Sequence, residues 1–185
     1  LDGVICMAEN SKFGNLIITA VNGVETRQFV WATPKIHYPF DNNNAWLIPT
    51  ENVNNITAFE KLDGTNILAF KYIDDKGVEC VSYKTRRMPF VGDDFLYMWK
   101  DVLKKHPDIP ELVKKNDMSI SFELYGKTNL HGIIYDIDLD AKVLFGRNKK
   151  GEILPPTALD CGSVGFPKII KEWKATPETE FQKEY

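Results

Sequence analysis

A lysine and an Asp-Gly turn separate two strand-forming runs in the first half of this chain. The apolar run at 56–59 leads into the string Glu-Lys-Leu-Asp-Gly that begins at residue 60, and a second run occupies 67–73. Asp-Gly is a strong turn signal, because glycine tolerates the backbone angles that tight turns require. The chain must therefore pass from strand to turn to strand with Lys61 at the junction. Taken alone, the same pattern also fits a surface turn beside a solvated lysine.

The sequence downstream predicts a hairpin and two helices. The runs at 67–73 and 78–83 flank Asp-Asp-Lys-Gly, which favours a four-residue turn. Helical spacing then places on one buried face the residues Phe95, Met98, Trp99, Val102 and Leu103. Either Asp93 or Asp94 is expected to cap this helix, and Pro107 to end it. Pro110 is expected to open a second, short helix through Lys115.

Further strands are predicted on both sides of these helices. Residues 118–125 alternate between apolar and polar side chains, so Glu123 is expected on the polar face of a half-buried strand. Two more strands are predicted at 133–137 and 142–145, and the first thirty residues read as strands broken by glycines. The expected fold class is α+β, with antiparallel sheets flanked by helices around a cleft.

Length and composition indicate one ordinary globular domain spanning residues 1–185. The chain is 43% hydrophobic with a net charge of −3, and no run is long enough for a membrane span. Its three cysteines lie far apart, which fits reduced thiols and a cytoplasmic location, or the host cytoplasm for a viral protein. The three histidines are scattered, so we predict no histidine metal site.

The residue types around Lys61 suit transfer of a phosphate-containing group. A lysine amine becomes nucleophilic when neighbouring cations, a metal or burial remove its proton. Gly64 would let a phosphate approach the backbone, and Asp63 could orient the lysine or meet a ribose. Thr65 and Asn66 offer hydrogen-bond donors to phosphate oxygens.

Three later segments carry residues that suit the same chemistry. Residues 82–87 form a basic strand end that the hairpin returns toward the lysine, and arginine is well suited to clamp a phosphate. Glu123 could accept hydrogen bonds from ribose hydroxyls, and Phe145 could stack on a purine. Each also has a plain structural reading: a solvated strand end, an exposed glutamate and a core phenylalanine.

The order and spacing of these segments resemble the covalent nucleotidyltransferase superfamily of ATP-dependent RNA and DNA ligases and mRNA capping enzymes. The family's Lys-x-Asp/His-Gly motif is matched at 61–64, its basic motif at 84–87 and its Phe-Glu-Leu-Tyr-Gly motif at 122–126. The aromatic-bearing strand is best matched at 143–145. The strings around Lys61 and Glu123 look most like phage-type RNA ligases.

The resemblance implies a set of roles and ligands. Lys61 would take AMP from ATP with Mg²⁺ or Mn²⁺, and RNA ends with a 5′-phosphate and a 3′-hydroxyl would be joined. Glu60 would contact the adenine edge, and Asn66 and Arg86 the phosphate or ribose, with Arg87 as the alternative to Arg86. Glu123 would bind ribose and Phe145 would stack on the base. No protein partner can be inferred, and the lack of a long apolar run predicts no membrane association.

Two motifs of the family are missing from this chain. No Glu-Gly-x-Val string is present, and residues 168–171 resemble the Lys-x-Lys motif only superficially, so we interpret them as an amphipathic strand. A helix start at Thr176 stands two turns before the last residue, which predicts a domain truncated at its C-terminal side. A DNA ligase, a GTP-using capping enzyme and a non-catalytic fragment that binds nucleotide or RNA remain open alternatives.

Overall fold

Ten strands and two α-helices make up the part of the chain that the structure, a computed structural model, describes: residues 1–8, 13–35, 38, 40–43, 45, 47 and 55–174. The strands are β1 (Gly3–Cys6), β2 (Leu16–Val21), β3 (Val24–Val30), β4 (Asn55–Phe59), β5 (Thr65–Ile73), β6 (Glu79–Thr85), β7 (Ser119–Tyr125), β8 (Asp140–Arg147), β9 (Ile153–Leu154) and β10 (Ile169–Lys174). The helices are α1 (Asp93–Lys105) and α2 (Ile109–Asn116). The α+β class with antiparallel sheets is confirmed.

The chain divides into two compact units. The larger unit holds Leu1–Pro34 and Leu62–Phe166, and the smaller one holds Lys35–Lys61 and Pro167–Tyr185. The assignment of residues 1–185 to a single nucleotidyltransferase domain stays a prediction. No helix among the described residues has the length and apolar character needed to cross a membrane.

A five-stranded antiparallel sheet forms the centre of the larger unit. Its strand order is β6-β5-β7-β8-β9, so β5 is paired on both sides. The predicted hairpin between β5 and β6 is confirmed, and Asp74 stabilises its turn by accepting hydrogen bonds from the amides of Lys76 and Val78. Gly77 adopts a φ of 80°, which glycine reaches without strain.

Both helices pack on one face of this sheet. The core there joins Trp99 and Val102 of α1 and Val113 of α2 to Ile67 and Phe122 of the sheet. The two predicted helices are confirmed, and so is the core position of Trp99. The prediction of an aspartate N-cap is wrong.

Gly92, with extended backbone angles, occupies the N-cap of α1, and no side chain makes a capping hydrogen bond there. Asp93 and Asp94 lie in the first turn instead. In that position their negative charges are attracted to the positive end of the helix dipole, and this attraction needs no capping hydrogen bond.

The opposite face of the sheet is covered by the three-stranded sheet β1-β2-β3. Leu68 and Phe70 of β5 pack against Leu16, Ile18 and Val30 in a second apolar cluster. The prediction of a half-buried β7 is wrong, because side chains on both faces of this strand are buried. The polar-side residues Ser119, Ser121 and Tyr125 are buried too.

The strand predicted at residues 133–137 does not form. The backbone folds back instead, and the amide of Lys127 donates to the carbonyl of Ile137. The amides of Gly132 and Ile133 donate to the carboxylate of Asp63, so no neighbouring strand can pair with them. Apolar composition misled the prediction, because Ile134 is 83% exposed.

The smaller unit contains a two-stranded antiparallel sheet of β4 and β10. Ile169 pairs with Phe59, and beyond the strand the amide of Glu60 donates to the carbonyl of Lys168 at 2.8 Å. The interpretation of residues 168–171 as part of a strand is confirmed, with β10 beginning at Ile169. The helix predicted from Thr176 lies outside the described residues.

A hydrogen-bonded junction ties the end of α1 to β8. The buried His106 ring contacts Asp140 Oδ1 through Nε2 at 2.8 Å and Ser163 Oγ through Nδ1 at 2.9 Å. The Ser163 hydroxyl donates to Asp108, so this serine is held as a structural link. Burial raises the pKa of Asp140, but hydrogen bonds from His106, the Ala141 amide and Lys105 outweigh it and leave the pKa below its ordinary value.

We expect Asp140→Asn to destabilise the fold by about 1–3 kcal/mol at pH 7, because the variant loses charge-assisted hydrogen bonds. A carboxyl whose pKa is lowered by folding stabilises the protein above its unfolded value, here 3.8, and that contribution is lost as pH falls below it. The difference in urea midpoint between wild type and variant should therefore shrink from pH 6 to pH 3. Asp136→Asn, at a fully exposed aspartate, is the control. An equal difference at both pH values would contradict this account.

Candidate functional site

A β-bulge in β8 determines which side chains share the sheet face opposite the helices. Lys142 pairs with Glu123 and Val143 with Phe122, but the next pair joins Phe145 to Ser121, so Leu144 is an extra residue. Side chains of directly opposed residues lie on the same face. The bulge therefore puts Phe145 on the face of Ser121 and Glu123, away from the helices.

This face is where the candidate residues of three strands come together. Register places Asn66 of β5 opposite Glu123 of β7, and Phe145 of β8 beside them opposite Ser121. Phe145 is buried, yet neither apolar cluster of the described residues includes it. The burial of Phe145 therefore fits the plain reading of a core phenylalanine, although its ring lies on the sheet face away from the helices.

Glu123 is linked directly to the glycine of the lysine motif. The amide of Gly64 donates to Glu123 Oε1 at 3.0 Å. A Cβ at position 64 would overlap the carbonyl oxygen of Leu124, so only glycine lets this backbone pass so close to β7. The Lys-x-Asp-Gly motif and the Phe-Glu-Leu-Tyr-Gly motif thus meet at one hydrogen bond.

Asn66 belongs to a polar network between the two sheets of the larger unit. Its Nδ2 donates to Ser121 Oγ at 2.7 Å and to the Phe122 carbonyl at 3.1 Å, and its Oδ1 accepts from Thr33 at 2.7 Å. All these bonds orient the amide within the fold. Thr33 and Ser121 could not be predicted from sequence, because their role depends on contacts between residues far apart in the chain.

Asp63 organises a loop. Its Oδ2 accepts the amides of Gly132 at 2.7 Å and Ile133 at 3.2 Å, while its own amide donates to the hydroxyl of Tyr135 at 2.7 Å. Nearby, Asn129 Nδ2 donates a hydrogen bond to the Thr65 hydroxyl at 3.1 Å. The carboxylate of Asp63 therefore fixes residues 132–133 beside the turn that follows Lys61 in sequence.

The basic segment after β6 divides into a buried and an exposed part. Arg86 follows Thr85, which pairs with Ile67, so the hairpin brings it to the end of β5 that carries Asn66. Its guanidinium is exposed and lies 6.0 Å from the ring centre of Phe13. Arg87 is exposed as well.

Lys84 is fully buried, which the sequence did not reveal. Its Nζ donates to the carbonyl oxygens of Thr85 at 2.7 Å and Arg86 at 3.3 Å. Burial lowers its pKa to about 8. Lys84 therefore holds the turn that presents Arg86, and its amine is directed into the protein.

Glu60 and Lys61 belong to the smaller unit, at the end of β4, and both are exposed. The peptide bond between Lys61 and Leu62 joins that unit to the larger one. Among the described residues, no three His, Cys, Asp or Glu side chains lie together in a way that could hold a metal ion.

Comparison with known proteins gives structural matches. No model of a protein family matches the chain, and no curated protein matches its sequence. An archaeal ATP-dependent RNA ligase superposes with a TM-score of 0.57 at 17% identity, over 98% of this chain and 50% of that one. The chain has the fold of an ATP-dependent RNA ligase.

Two structures of the Naegleria gruberi RNA ligase are also similar. A mutant with ATP and Mn matches with a TM-score of 0.48 at 15% identity, and an apo mutant with 0.47 at 14%; each covers 65% of this chain and 37% of that one. The chain thus spans half or less of the length of these solved RNA ligases.

In this RNA-ligase fold the larger unit gathers most of the predicted site residues. Asp63, Gly64, Asn66, Glu123 and Phe145 lie on or next to one sheet face, with Arg86 at the same strand end. A carboxylate, an aromatic ring and an exposed guanidinium are together suited to a ribose, a base and a phosphate. Their assignment to those groups stays a prediction.

We expect Gly64→Ala to destabilise the larger unit by about 1–3 kcal/mol, because the added Cβ forces the start of β5 away from β7. Thermal melting with calorimetry would measure the loss. Gly92→Ser is the control, since a Cβ at position 92 meets open space. Equal melting temperatures for both variants would show that the close approach at Gly64 is not a constraint.

Replacing Lys84 tests its buried charge. The pKa of Lys84 falls on folding from 10.5 to about 8, so its buried charge lowers the free energy of unfolding. This destabilisation is complete below pH 8 and disappears as pH rises to 10.5. Between these values wild type should gain on the order of 1–3 kcal/mol relative to Lys84→Met. Urea unfolding at pH 7.5 and 10 measures the difference. A pH-independent difference would contradict this account.

Proposed function

We propose that this chain is the nucleotidyl-transferring part of an ATP-dependent RNA ligase, with Lys61 as the nucleophile. The Lys61 amine attacks the α-phosphorus of ATP, a nitrogen–phosphorus bond forms, and the bond to the pyrophosphate oxygen breaks. The amine proton leaves to solvent or pyrophosphate. AMP then passes to an RNA 5′-phosphate, and an RNA 3′-hydroxyl displaces AMP to form the phosphodiester.

The hydrogen bond between Gly64 and Glu123 carries this proposal. It joins the turn of the Lys-x-Asp-Gly motif to the glutamate of the Phe-Glu-Leu-Tyr-Gly motif at 3.0 Å, although 59 residues separate them in sequence. A surface turn beside a solvated lysine would have no reason to meet that glutamate. The match of the fold to an archaeal ATP-dependent RNA ligase adds independent support.

The remaining roles follow the chemistry of each side chain. Glu123 binds the ribose, Phe145 stacks on the adenine, and Arg86 contacts the phosphate or ribose. Asn66 and Asp63 act through the geometry of the site, since their polar atoms already hold Ser121 and residues 132–133. Glu60 contacts the adenine edge.

The proposed ligands are ATP, a divalent cation and RNA. Mg²⁺ commonly binds through one or two carboxylates together with substrate phosphates. The described residues form no preassembled metal cluster, so no step is assigned to the ion and Mg²⁺ or Mn²⁺ stays part of the proposal. RNA ends with 5′-phosphate and 3′-hydroxyl groups are the proposed partners, and the cytoplasm is the proposed location.

Labelling with α-³²P-ATP tests the nucleophile. The wild-type chain should acquire a label that is acid-labile and base-stable. Lys61→Ala should show only background label, because it lacks the amine that forms the phosphoramide. Lys61→Arg keeps the charge and should also remain unlabelled. Lys127→Ala, a surface lysine of the larger unit, should label like wild type. Equal labelling of wild type and Lys61→Ala would reject the proposal.

Substrate comparisons separate the related enzymes. A GTP-using capping enzyme would take label from α-³²P-GTP in preference to ATP, and a DNA ligase would seal nicked DNA in preference to nicked RNA. A non-catalytic fragment would bind ATP without any covalent label. We expect ATP and RNA to be preferred.

A further inference from the structure

A groove in the larger unit lies outside the candidate nucleotide site. It has a volume of about 240 Å³ and runs between the end of β3, the end of β5, the start of β7 and the end of β8. Phe29, Trp31, Lys71, Arg147 and Lys149 are among its lining residues. No role in the proposed reaction has been assigned to any of them.

Arg147 is a buried cation in this groove. Its side chain lies 4.7 Å from the ring centre of Trp31, and its nitrogens donate to the carbonyl of Ala32 at 2.7 Å and of Gly151 at 3.0 and 3.2 Å. Arg147 is 9% exposed, and burial holds its pKa below the ordinary value. A desolvated guanidinium with unused N–H groups is stabilised by a bound anion.

The other cations of the groove already have counterions. Lys71 contacts Glu79 at 2.6 Å and also pairs with Asp117, and Lys149 contacts Asp117 at 2.6 Å. Among the described residues, no carboxylate lies within ion-pair distance of Arg147. Arg147 therefore carries the positive charge of the groove that no carboxylate of the described residues compensates.

An exposed aromatic ring lines the same groove as this cation. Phe29 is 46% exposed and meets Trp31 edge to face, with 4.8 Å between ring centres. An aromatic surface for a base next to a cation for a phosphate is the combination by which proteins bind single-stranded nucleic acid. One cation and one exposed ring correspond to the phosphate and the base of a single nucleotide.

The groove lies on the same sheet face as the candidate nucleotide site. Ser119 donates to the carbonyl of Trp31 at 2.6 Å in the groove, and two residues further along β7 Ser121 contacts Thr33. Two residues of a strand span about 7 Å. The groove and the candidate nucleotide site are therefore neighbours on one face of the sheet.

We propose that this groove binds one internal nucleotide of the single-stranded RNA substrate, with its phosphate at Arg147 and its base on Phe29. The assignment of RNA rests on the proposed function. Binding in the groove needs neither ATP nor Lys61, so the two proposals can fail separately.

The test is photo-crosslinking of the full chain, without ATP, to a 5′-phosphorylated hexaribonucleotide that carries one internal 4-thiouridine. Peptide mapping should find the crosslink within residues 28–31 or 70–73. Phe29→Ala should weaken binding about tenfold by loss of one base stack. Val24→Ala, an equally exposed apolar residue of β3 outside the groove, is the matched control.

Arg147→Met supplies a second measurement, after thermal melting has shown that the variant folds. The slope of log Kd against log salt concentration should fall by about 0.7, the value for one phosphate contact on a single strand. If this variant does not fold, Phe29→Ala decides.

Three results would overturn the inference. These are crosslinks confined to other segments, equal affinity of Phe29→Ala and Val24→Ala, and competition by 5′-AMP as strong as by the hexamer, which would indicate a site for free nucleotides. Labelling of Lys61 by ATP without a groove crosslink would reject the groove alone. A groove crosslink without labelling would reject the ligase mechanism alone.

Discussion

The close approach of β5 to β7 at Gly64 is the contact on which the candidate site depends. β5 pairs with β7 from Thr65 onward and with β6 from Ile67 onward, so its first two residues take their position from β7 alone. Where β5 begins, the absence of a side chain lets its backbone lie against the Leu124 carbonyl and brings the Gly64 amide to Glu123. Asn66 then falls opposite Glu123, and the return of the hairpin sets Arg86 at the same end. One backbone packing distance thus aligns residues from three separate parts of the sequence.

The larger unit combines this alignment with burial on both sides of the sheet. The helices cover one face, and the sheet β1-β2-β3 covers the apolar half of the other. The polar half of that second face carries Asn66, Ser121 and Glu123. Rigid packing below and a polar network above are what orient side chains for binding, because each rotamer is fixed by its neighbours. The chain shares its fold with an archaeal ATP-dependent RNA ligase at 17% identity.

Local signals allowed much of this to be predicted from the sequence. Helical periodicity predicted α1, Pro110 predicted the start of α2, and the Asp-Gly and Asp-Asp-Lys-Gly turns predicted the strands beside them. The errors come from contacts distant in sequence. Residues 133–137 looked like a strand, but Asp63 accepts the amide of Ile133 and that of Gly132 just before it. The burial of Lys84 and the partners of Asn66 likewise depend on residues that only the folded chain brings near. Phe145 was proposed from a motif, whereas the bulge that turns it toward Glu123 leaves no recognisable mark in the sequence.

The bulge at Leu144 also governs how β8 can change by insertion and deletion. If Leu144 paired normally, Phe145 and Arg147 would both turn to the helix side, and the sheet face would lose its aromatic ring together with the groove's cation. Removal of residue 144 altogether would instead leave Phe145 opposite Ser121 and Arg147 opposite Ser119 in a regular strand. A one-residue deletion at Leu144 is therefore compatible with both sites, whereas a deletion at Gly146 would move Arg147 to the helix side. The two sites thus depend on the same residue-by-residue pairing of β8 with β7.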